Sequence, residues 1–249
     1  MFKRLSVVLL IAAVLIGVGC KREVPYPNHE IEFIVPFAPG GPADTAARLI
    51  EPVMRQKLGV PVVLVNKPGA GGALGAEYIK NAPADGYHVL ATTNNALTVL
   101  PALDNKLAYK MDDFAPLGSY ISDLSVIATR PDPRWKNLDE FVAYAKKNPG
   151  KLNFGSAGNG TISYFGMELL RLAYGLEMTH IPFQGTAPAK TALLGGHVDV
   201  TATGFAYVGP DIKAGTLVGL VSTAQQRLPD FPTIPTMAEM GFQDIALNI

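Results

Sequence analysis

Short apolar segments alternate with amphipathic segments of helical spacing along most of the chain, and turns rich in glycine and proline separate them. This alternation predicts strands and helices in succession, which is typical of an α/β fold with parallel strands. In the first half, the pattern predicts strands over residues 31–37, 62–66 and 87–93, and a helix over 44–58 that ends at Gly59.

A second unit of the same kind begins near Pro116. Its predicted elements are a strand at 125–129, a strand, loop and helix over 152–172, a strand ending at 183, a helix ending at 194, and strands at 198–201 and 217–222. We therefore expect two lobes with a ligand cleft between them. Residues 31–115 and 222–249 would form lobe I, residues 116–221 would form lobe II, and the chain would cross between the lobes near 115 and 222.

The chain opens with a charged and then apolar segment. Lys3 and Arg4 precede an apolar run over 5–18, which Gly19 and the single cysteine, Cys20, follow. The run is shorter than the roughly 20 residues of a spanning helix and is typical of an export signal. Its end resembles a bacterial lipoprotein cleavage site, although position 17 holds glycine where that site usually has leucine. Residues 1–19 are thus predicted as a lipoprotein signal peptide and 20–30 as an anchor and linker lipidated at Cys20, with plain secretion as the alternative.

The composition excludes several classes of protein. Without Lys3 and Arg4, 19 basic residues stand against 21 acidic ones, a formal net charge of −2, which does not favour nucleic acid or an anionic membrane surface as partner. With Cys20 assigned to the anchor, no cysteine remains for a disulfide, a metal thiolate or a nucleophile. About 230 mature residues suit one large domain or two small lobes.

Residues 34–48, IVPFAPGGPADTAAR, join an apolar strand, a Pro/Gly loop and the start of a helix. Gly40 and Gly41 let the backbone approach a ligand closely, and the free N–H groups of the next helix point toward it. A helix N-terminus carries roughly half a positive elementary charge. This stretch therefore predicts an anion site without a basic residue; the alternative is an ordinary strand-to-helix connection with Asp44 as its N-cap.

Residues 152–172 repeat this architecture in the second unit. If the two units face each other across a cleft, two helix N-termini meet one anionic ligand, and the hydroxyls of Ser156, Thr161 and Ser163 can add donors. As the alternative, these hydroxyls serve only as helix caps. The polar residues 92–95 follow the third strand, at the edge where open α/β sheets place ligands.

Catalytic and cofactor motifs are not matched. The sequence GSAG at 155–158 lacks the G-x-S-x-G spacing, and the glycine-rich turn at 69–75 fits neither a dinucleotide fingerprint nor a P-loop. The four histidines lack metal-ligand spacing, so we expect no metal, no cofactor and no enzyme. A secreted serine hydrolase is the weaker alternative, because it needs a histidine and an acid that no spacing brings to Ser156.

Five ordered segments resemble the periplasmic solute-binding proteins of tripartite tricarboxylate transporters, the Bug family: IVPFAPGGPADTAAR, VNKPGAGGALGAEYI with PADGYHVLATT, FGSAGNGT, HIPFQGTAPAKTALLGGHVDV, and LPDFPTIPTMAEMGF. The resemblance implies a type II "Venus flytrap" that binds a small carboxylate between two lobes and delivers it to a membrane permease. A monomer is the default for such a lobed protein. A ligand-sensing lipoprotein that docks to a signalling protein remains the alternative.

The resemblance also implies the ligand-binding residues, which fall on four loops and one turn. They are Phe37, Ala38, Pro39, Gly40, Gly41, Asp44, Thr92, Thr93, Asn94, Ser156, Ala157, Gly158, Asn159, Gly160, Thr161, Ser163, Gly185, Thr186, Ala187 and Asp199. Asp199 matches an acidic residue of the family, with the ordering of its turn as the alternative role.

The chain departs from the family pattern in ways that affect the identity of the ligand. The family usually has Ser at Thr161, His at Tyr164 and Asp at Ala192, and it often has an Asp after an apolar pair where this chain reads TATGF at 201–205. Family members also continue for several tens of residues beyond the position of Ile249. We therefore expect a fragment or a truncated reading frame, with lobe I incomplete.

Overall fold

The structure, a computed structural model, describes residues 24–242. The predicted signal peptide, Cys20 and residues 243–249 lie outside the described residues. Within them, no helix has the length and apolar character needed to cross a membrane. The described part of the linker, 24–30, packs on the first lobe: Tyr26 donates a 2.8 Å hydrogen bond to the Gly86 carbonyl, and the His29 ring stacks on Tyr87.

The first lobe contains a three-stranded parallel sheet in the order β2-β1-β3. Its strands are β1 (Ile31–Val35), β2 (Val62–Asn66) and β3 (His88–Leu90). Side chains of β1 are buried on both faces, because helices cover both sides of a parallel sheet. The three predicted strands are confirmed, although β1 ends two residues earlier than predicted and β3 is shorter than predicted at both ends.

The helices of the first lobe include one that begins earlier than predicted. They are α1 (Pro42–Leu58), a 3₁₀ turn (Ala70–Gly72), α2 (Ala73–Asn81), a π-helical turn (Asn95–Val99), α3 (Leu100–Leu103) and a second 3₁₀ turn (Met111–Asp113). Gly41, not Asp44, is the N-cap of α1, because Pro42 lacks an N–H and fits the first helical position. As predicted, α1 ends at Gly59, which is left-handed.

The second lobe contains a five-stranded mixed sheet in the order β6-β5-β7-β4-β8. Its strands are β4 (Ser125–Thr129), β5 (Leu152–Ser156), β6 (Met178–Pro182), β7 (Val200–Gly204) and β8 (Val218–Ser222). Strands β5, β6 and β7 are parallel, whereas β4 runs antiparallel to both β7 and β8. The helices that cover this sheet are α4 (Leu138–Lys147), α5 (Ile162–Tyr174), α6 (Thr186–Leu194) and α7 (Phe205–Lys213).

Residues 223–242 pack on the second lobe, not on the first. Ser222 bridges to Thr236, and Ile234 and Met237 are buried in the two apolar clusters of the second sheet. The prediction that the chain returns to lobe I after residue 222 is therefore wrong for residues 223–242. The bridge from Ser222, the last residue of the edge strand β8, places the apolar side chains at 234 and 237 on the second sheet, where they are buried.

Candidate functional site

A cavity lies between the two lobes, at the carboxyl ends of their parallel strands. It contains about 490 Å³ of space between its walls, including the part open to solvent. Its lining residues are Phe37, Gly41, Pro42, Ala43, Thr93, Asn95, Ala157, Thr161, Ile162, Ser163, Thr186 and Thr203. Among the described residues, this lining contains no charged side chain. Any charge on a ligand must therefore be met by backbone dipoles and neutral polar groups.

Three helix N-termini converge on this cavity. Residues 41–43 open α1, residues 161–163 open α5, and Thr186 opens α6. The first N–H groups of a helix have no acceptor within that helix, and they carry its partial positive charge. Sequence reasoning found two of these ends from their strand-loop-helix pattern. The third was suggested only by the family resemblance, although Gly185 and Pro188 around the start of α6 are its local signal.

Asp44 orders the first loop instead of facing the cavity. Its side chain is only 2% exposed, and its carboxylate accepts hydrogen bonds from Arg48, Asn66 and the Gly40 N–H at 2.8, 2.8 and 2.9 Å. Burial disfavours the charged form, but the bonds from Arg48, Gly40 and Asn66 outweigh it and lower the pKa of Asp44 below 3.8. Because these donors already occupy the carboxylate, Asp44 holds the loop 37–41 in shape.

The hydroxyls of the second loop bond to the loop itself. Thr161 donates to the Gly158 carbonyl at 2.7 Å, so its oxygen accepts from the Ser163 hydroxyl at 2.9 Å. The Ser163 oxygen accepts from the Ala157 N–H at 2.8 Å, and Thr161 caps α5 by accepting from Tyr164. Thr161 thus caps a helix, as the alternative for these hydroxyls predicted, whereas Ser163 bonds to the loop. The free donors that remain here are the backbone N–H groups at the start of α5.

Asn95 orders the part of the cavity wall that follows β3. Its side chain is buried and donates to the Gly71 carbonyl at 3.1 Å, while its amide oxygen accepts from the Thr93 hydroxyl. The turn that begins at Asn95 is π-helical, and such turns often occur at functional sites. Thr93 lines the cavity as a result, whereas its predicted neighbours Thr92 and Asn94 are not among the lining residues.

Ser156 contacts a histidine that sequence spacing did not indicate. The Nε2 atom of His180 lies 2.6 Å from the Ser156 hydroxyl oxygen, because His180 on β6 is next to Phe154 on β5 and stacks on its ring. Burial lowers the pKa of His180 below 6.5. Ser156 is completely buried and also bonds to Gly158, so this pair stabilises the second loop from behind the cavity wall.

Asp199 lies at the opposite end of β7 from the cavity. Its carboxylate accepts from the Asn153 N–H at 2.9 Å and from Arg134 at 3.2 Å. Thr203, which lines the cavity, is four residues further along the strand, roughly 13 Å at about 3.3 Å per residue. Asp199 therefore orders its turn, which was the alternative role for this residue.

The structure brings part of the predicted set onto the cavity wall. Its members there are Phe37, Gly41, Thr93, Ala157, Thr161, Ser163 and Thr186. Four further lining residues, Pro42, Ala43, Asn95 and Ile162, lie within the predicted ligand loops but were not among the residues named. Thr203 lies outside those loops and had appeared only as a departure from a family pattern. The residues 24–242 contain no group of three or more His, Cys, Asp or Glu side chains placed to hold a metal ion.

Comparisons with known proteins give a consistent result. The profile described as "TctC: Tripartite tricarboxylate transporter family receptor" matches residues 46–248. The chain is 35% identical over 237 residues to a UPF0065 protein of Bordetella pertussis, and the alignment covers 95% of this chain and 73% of that protein.

Two solved structures are similar over most of the chain. One is MatC (Rpa3494) from Rhodopseudomonas palustris with bound malate, at 34% identity and a TM-score of 0.84, covering 90% of this chain and 76% of the other. The other is the periplasmic binding protein BugD, at 33% identity and a TM-score of 0.82, covering 90% of this chain and 75% of BugD. These likenesses confirm the predicted two-lobed α/β fold of periplasmic binding proteins.

Proposed function

Because the chain belongs to the tripartite tricarboxylate transporter receptor family, we propose that it captures a small di- or tricarboxylate, or a related organic acid, between its lobes and delivers it to the permease of such a transporter. The family and the structural neighbours are solute-binding receptors and not enzymes. The complete burial of Ser156 agrees with this, because a nucleophile must reach its substrate.

The convergence of three helix N-termini on an uncharged cavity supports a carboxylate ligand most directly. Each helix end stabilises an anion by about 0.3–1 kcal/mol at an exposed site, and more where water is excluded. Backbone N–H groups add charge-assisted hydrogen bonds that replace the lost hydration of the carboxylate. Because no fixed positive charge lines this part of the cavity, the binding stays reversible, as a delivery protein needs.

The malate bound to MatC supports the same class of ligand, since MatC is 34% identical and has the same fold. The location and partners that we propose follow from the sequence: a monomer outside the cytoplasmic membrane, attached through a lipid on Cys20 and docking to membrane subunits of the transporter. We propose no metal, cofactor or nucleic acid for this activity.

Thermal unfolding in the presence of candidate ligands tests the proposal. The protein without residues 1–20 would be screened against mono-, di- and tricarboxylates, aromatic acids, amino acids and neutral compounds of the same size. A true ligand at 100 times its Kd should stabilise the fold by about 2.7 kcal/mol. Stabilisation by neutral compounds, with no response to any organic acid, would contradict the proposal. Delivery is then tested by measuring uptake of the same acid in cells that contain the permease. We expect uptake when the protein is present and loss of uptake when it is absent.

A further inference from the structure

The loop 157–161, which precedes α5 in the second lobe, also contacts α3 of the first lobe. Gly158 and Gly160 of this loop are buried, whereas Asn159 between them is exposed. A Cβ at Gly160 would lie 2.3 Å from Cδ2 of Leu100 and 3.7 Å from Cδ1 of Leu103, the first and last residues of α3. The backbone at Gly160 is therefore covered by two leucine side chains of the other lobe.

The first lobe holds Leu100 in a fixed place. Its side chain packs against the apolar cluster that contains the buried Tyr109. The turn before Leu100 is anchored at two points: the Tyr109 hydroxyl donates to the Ala96 carbonyl at 2.6 Å, and the buried Asn95 amide donates to the Gly71 carbonyl at 3.1 Å. Because both anchors are buried, Leu100 presents a rigid apolar surface to the second lobe.

The same loop sets the position of the α5 N-terminus. Thr161, the N-cap of α5, donates its hydroxyl to the Gly158 carbonyl at 2.7 Å, and its N–H bonds to the same carbonyl at 3.4 Å. Thr161 and Ile162 line the cavity, whereas Leu100 and Gly160 are not among its described lining residues. A shift of the loop away from Leu100 would therefore move the cavity wall, although Leu100 itself lies outside the cavity.

Building on the proposed function, we propose that Leu100 is a positioning residue of the ligand site: it packs on Gly160 when the lobes close and thereby holds the α5 N-terminus against the ligand. Glycine has no side chain, so position 160 lets the leucine pack directly on the backbone. The apolar surface buried in this contact stabilises the closed arrangement. Since apparent affinity follows the fraction of molecules in the binding-competent arrangement, it depends on a contact outside the cavity.

Cross-linking measures this closure without any ligand. The processed chain, residues 21–249, contains no cysteine, so Leu103→Cys with Asn159→Cys gives a single pair across the contact for a short bismaleimide. This pair should form an intramolecular cross-link, and adding Leu100→Ala should slow it by about threefold or more, because the rate follows the closed fraction. Leu90→Ala, on β3 and against the same apolar cluster, is the matched control. It should lower the melting temperature and leave the rate unchanged.

Calorimetry with 2-hydroxybutanedioate (malate), the acid bound to MatC, measures the effect on the site. Leu100→Ala should raise the Kd by about three- to tenfold, and Leu90→Ala should leave it unchanged. Gly160→Ala places a methyl group against Leu100 at a left-handed φ of 71° and should also weaken binding. Its effect should be smaller in the Leu100→Ala background, where the opposing side chain is gone. The backbone strain at residue 160 is the same in both backgrounds and cancels in this cycle.

Three results would overturn the inference: no cross-link between positions 103 and 159, an unchanged cross-linking rate with Leu100→Ala, or bound malate with the same Kd in the wild type and Leu100→Ala. Leu100 would then be a core residue of the first lobe only. If malate does not bind, the cross-linking result decides the inference alone. If the pair cross-links and responds to Leu100→Ala but no organic acid binds, the contact between the lobes stands and the proposed function fails.

Discussion

The backbone N–H of Ala38, in the loop before α1, donates a 2.9 Å hydrogen bond to the carbonyl oxygen of Gln184, in the loop before α6. The two lobes are thus joined directly at one side of the cavity. At another side, Gly71 of the first lobe lies against Asn159 of the second, so close that a Cβ at Gly71 would be 2.4 Å from the Asn159 carbonyl oxygen. The two lobes thus touch on two sides of the cavity, and we expect ligand exchange to require their separation.

Gly71→Ala is expected to prevent full closure. The added methyl group meets a backbone oxygen that cannot rotate away, so the lobes stay apart and ligand affinity should fall by about tenfold or more, which calorimetry would measure. A larger radius of gyration in the presence of ligand, measured by small-angle scattering, is the second expected result.

Gly59→Ala separates this effect from backbone strain. Both glycines are left-handed, with φ of 64° and 72°, so each substitution costs about 1–2 kcal/mol of stability. A Cβ at Gly59 meets no atom within 4 Å. The control should therefore lose similar stability and keep its affinity; equal affinity loss in both variants would contradict the closure argument.

Ile162→Pro removes one backbone donor from the cavity wall. Ile162 is the first residue of α5 and lines the cavity, and Thr161 before it is extended, so proline fits this position. Losing a hydrogen bond to a carboxylate costs about 1.5–3 kcal/mol, so we expect the Kd measured by calorimetry to rise about 10- to 100-fold.

Leu138→Pro is the control for this change, since it replaces a buried aliphatic residue at the first position of α4, away from the cavity. It should destabilise the fold and leave Kd unchanged. If Ile162→Pro also leaves Kd unchanged, the α5 N-terminus does not hold the ligand.

Asp44→Ala is expected to destabilise the first lobe by about 2–3 kcal/mol, because a buried network around Arg48, Asn66 and Gly40 loses its acceptor. Glu51→Gln on the same helix breaks only a partly exposed pair with Arg55, 3.6 Å apart, and should cost about 0.5 kcal/mol or less. Chemical denaturation measures both. Equal losses in the two variants would show that the network does not stabilise the loop.

The pH dependence of the same network follows from the lowered pKa of Asp44. In the unfolded chain the Asp44 carboxylate binds a proton near pH 3.8, whereas in the folded chain it stays ionised at that pH. The contribution of Asp44 to stability is therefore complete above this pH and is lost as the pH falls through the folded pKa. Denaturation measured between pH 5 and pH 2 should show this loss in the wild type. A variant with Asp44→Asn should lose less over the same range.

Local pattern predicted the strand-loop-helix units well, because alternating apolar segments report on strands and Gly59 reports on a helix end, although it placed the start of α1 at Asp44 and not after Gly41. It could not predict which polar groups face the cavity. Thr161 and Ser163 were predicted to supply hydroxyl donors to a ligand; both line the cavity, but their hydroxyls bond to the loop because the turn of residues 157–163 folds back on itself. Thr203 became apparent only when β7 was seen to end at the cavity, since a lone threonine in a strand carries no sequence signal.

His180 should make the second lobe less stable at mildly acidic pH. Burial lowers its pKa from 6.5, with the charge of Glu168 acting in the opposite direction, so the unfolded chain binds a proton more readily than the folded one. Stability is therefore complete above pH 6.5 and is lost as the pH falls through the folded pKa. The rings of Phe154 and Tyr164 pack against the imidazole and give a proton there no compensating charge.

Melting temperatures measured from pH 7.5 to pH 5 test this argument, with His180→Asn compared against His197→Asn, which changes an exposed histidine. The His180 variant should be less stable at pH 7.5, because the 2.6 Å contact with Ser156 is lost, but its melting temperature should fall less toward pH 5 than that of the wild type. The His197 variant should follow the wild type. If the wild type and both variants lose stability equally as the pH falls, a group other than His180 causes the loss, because His180→Asn removes the protonation of that residue alone.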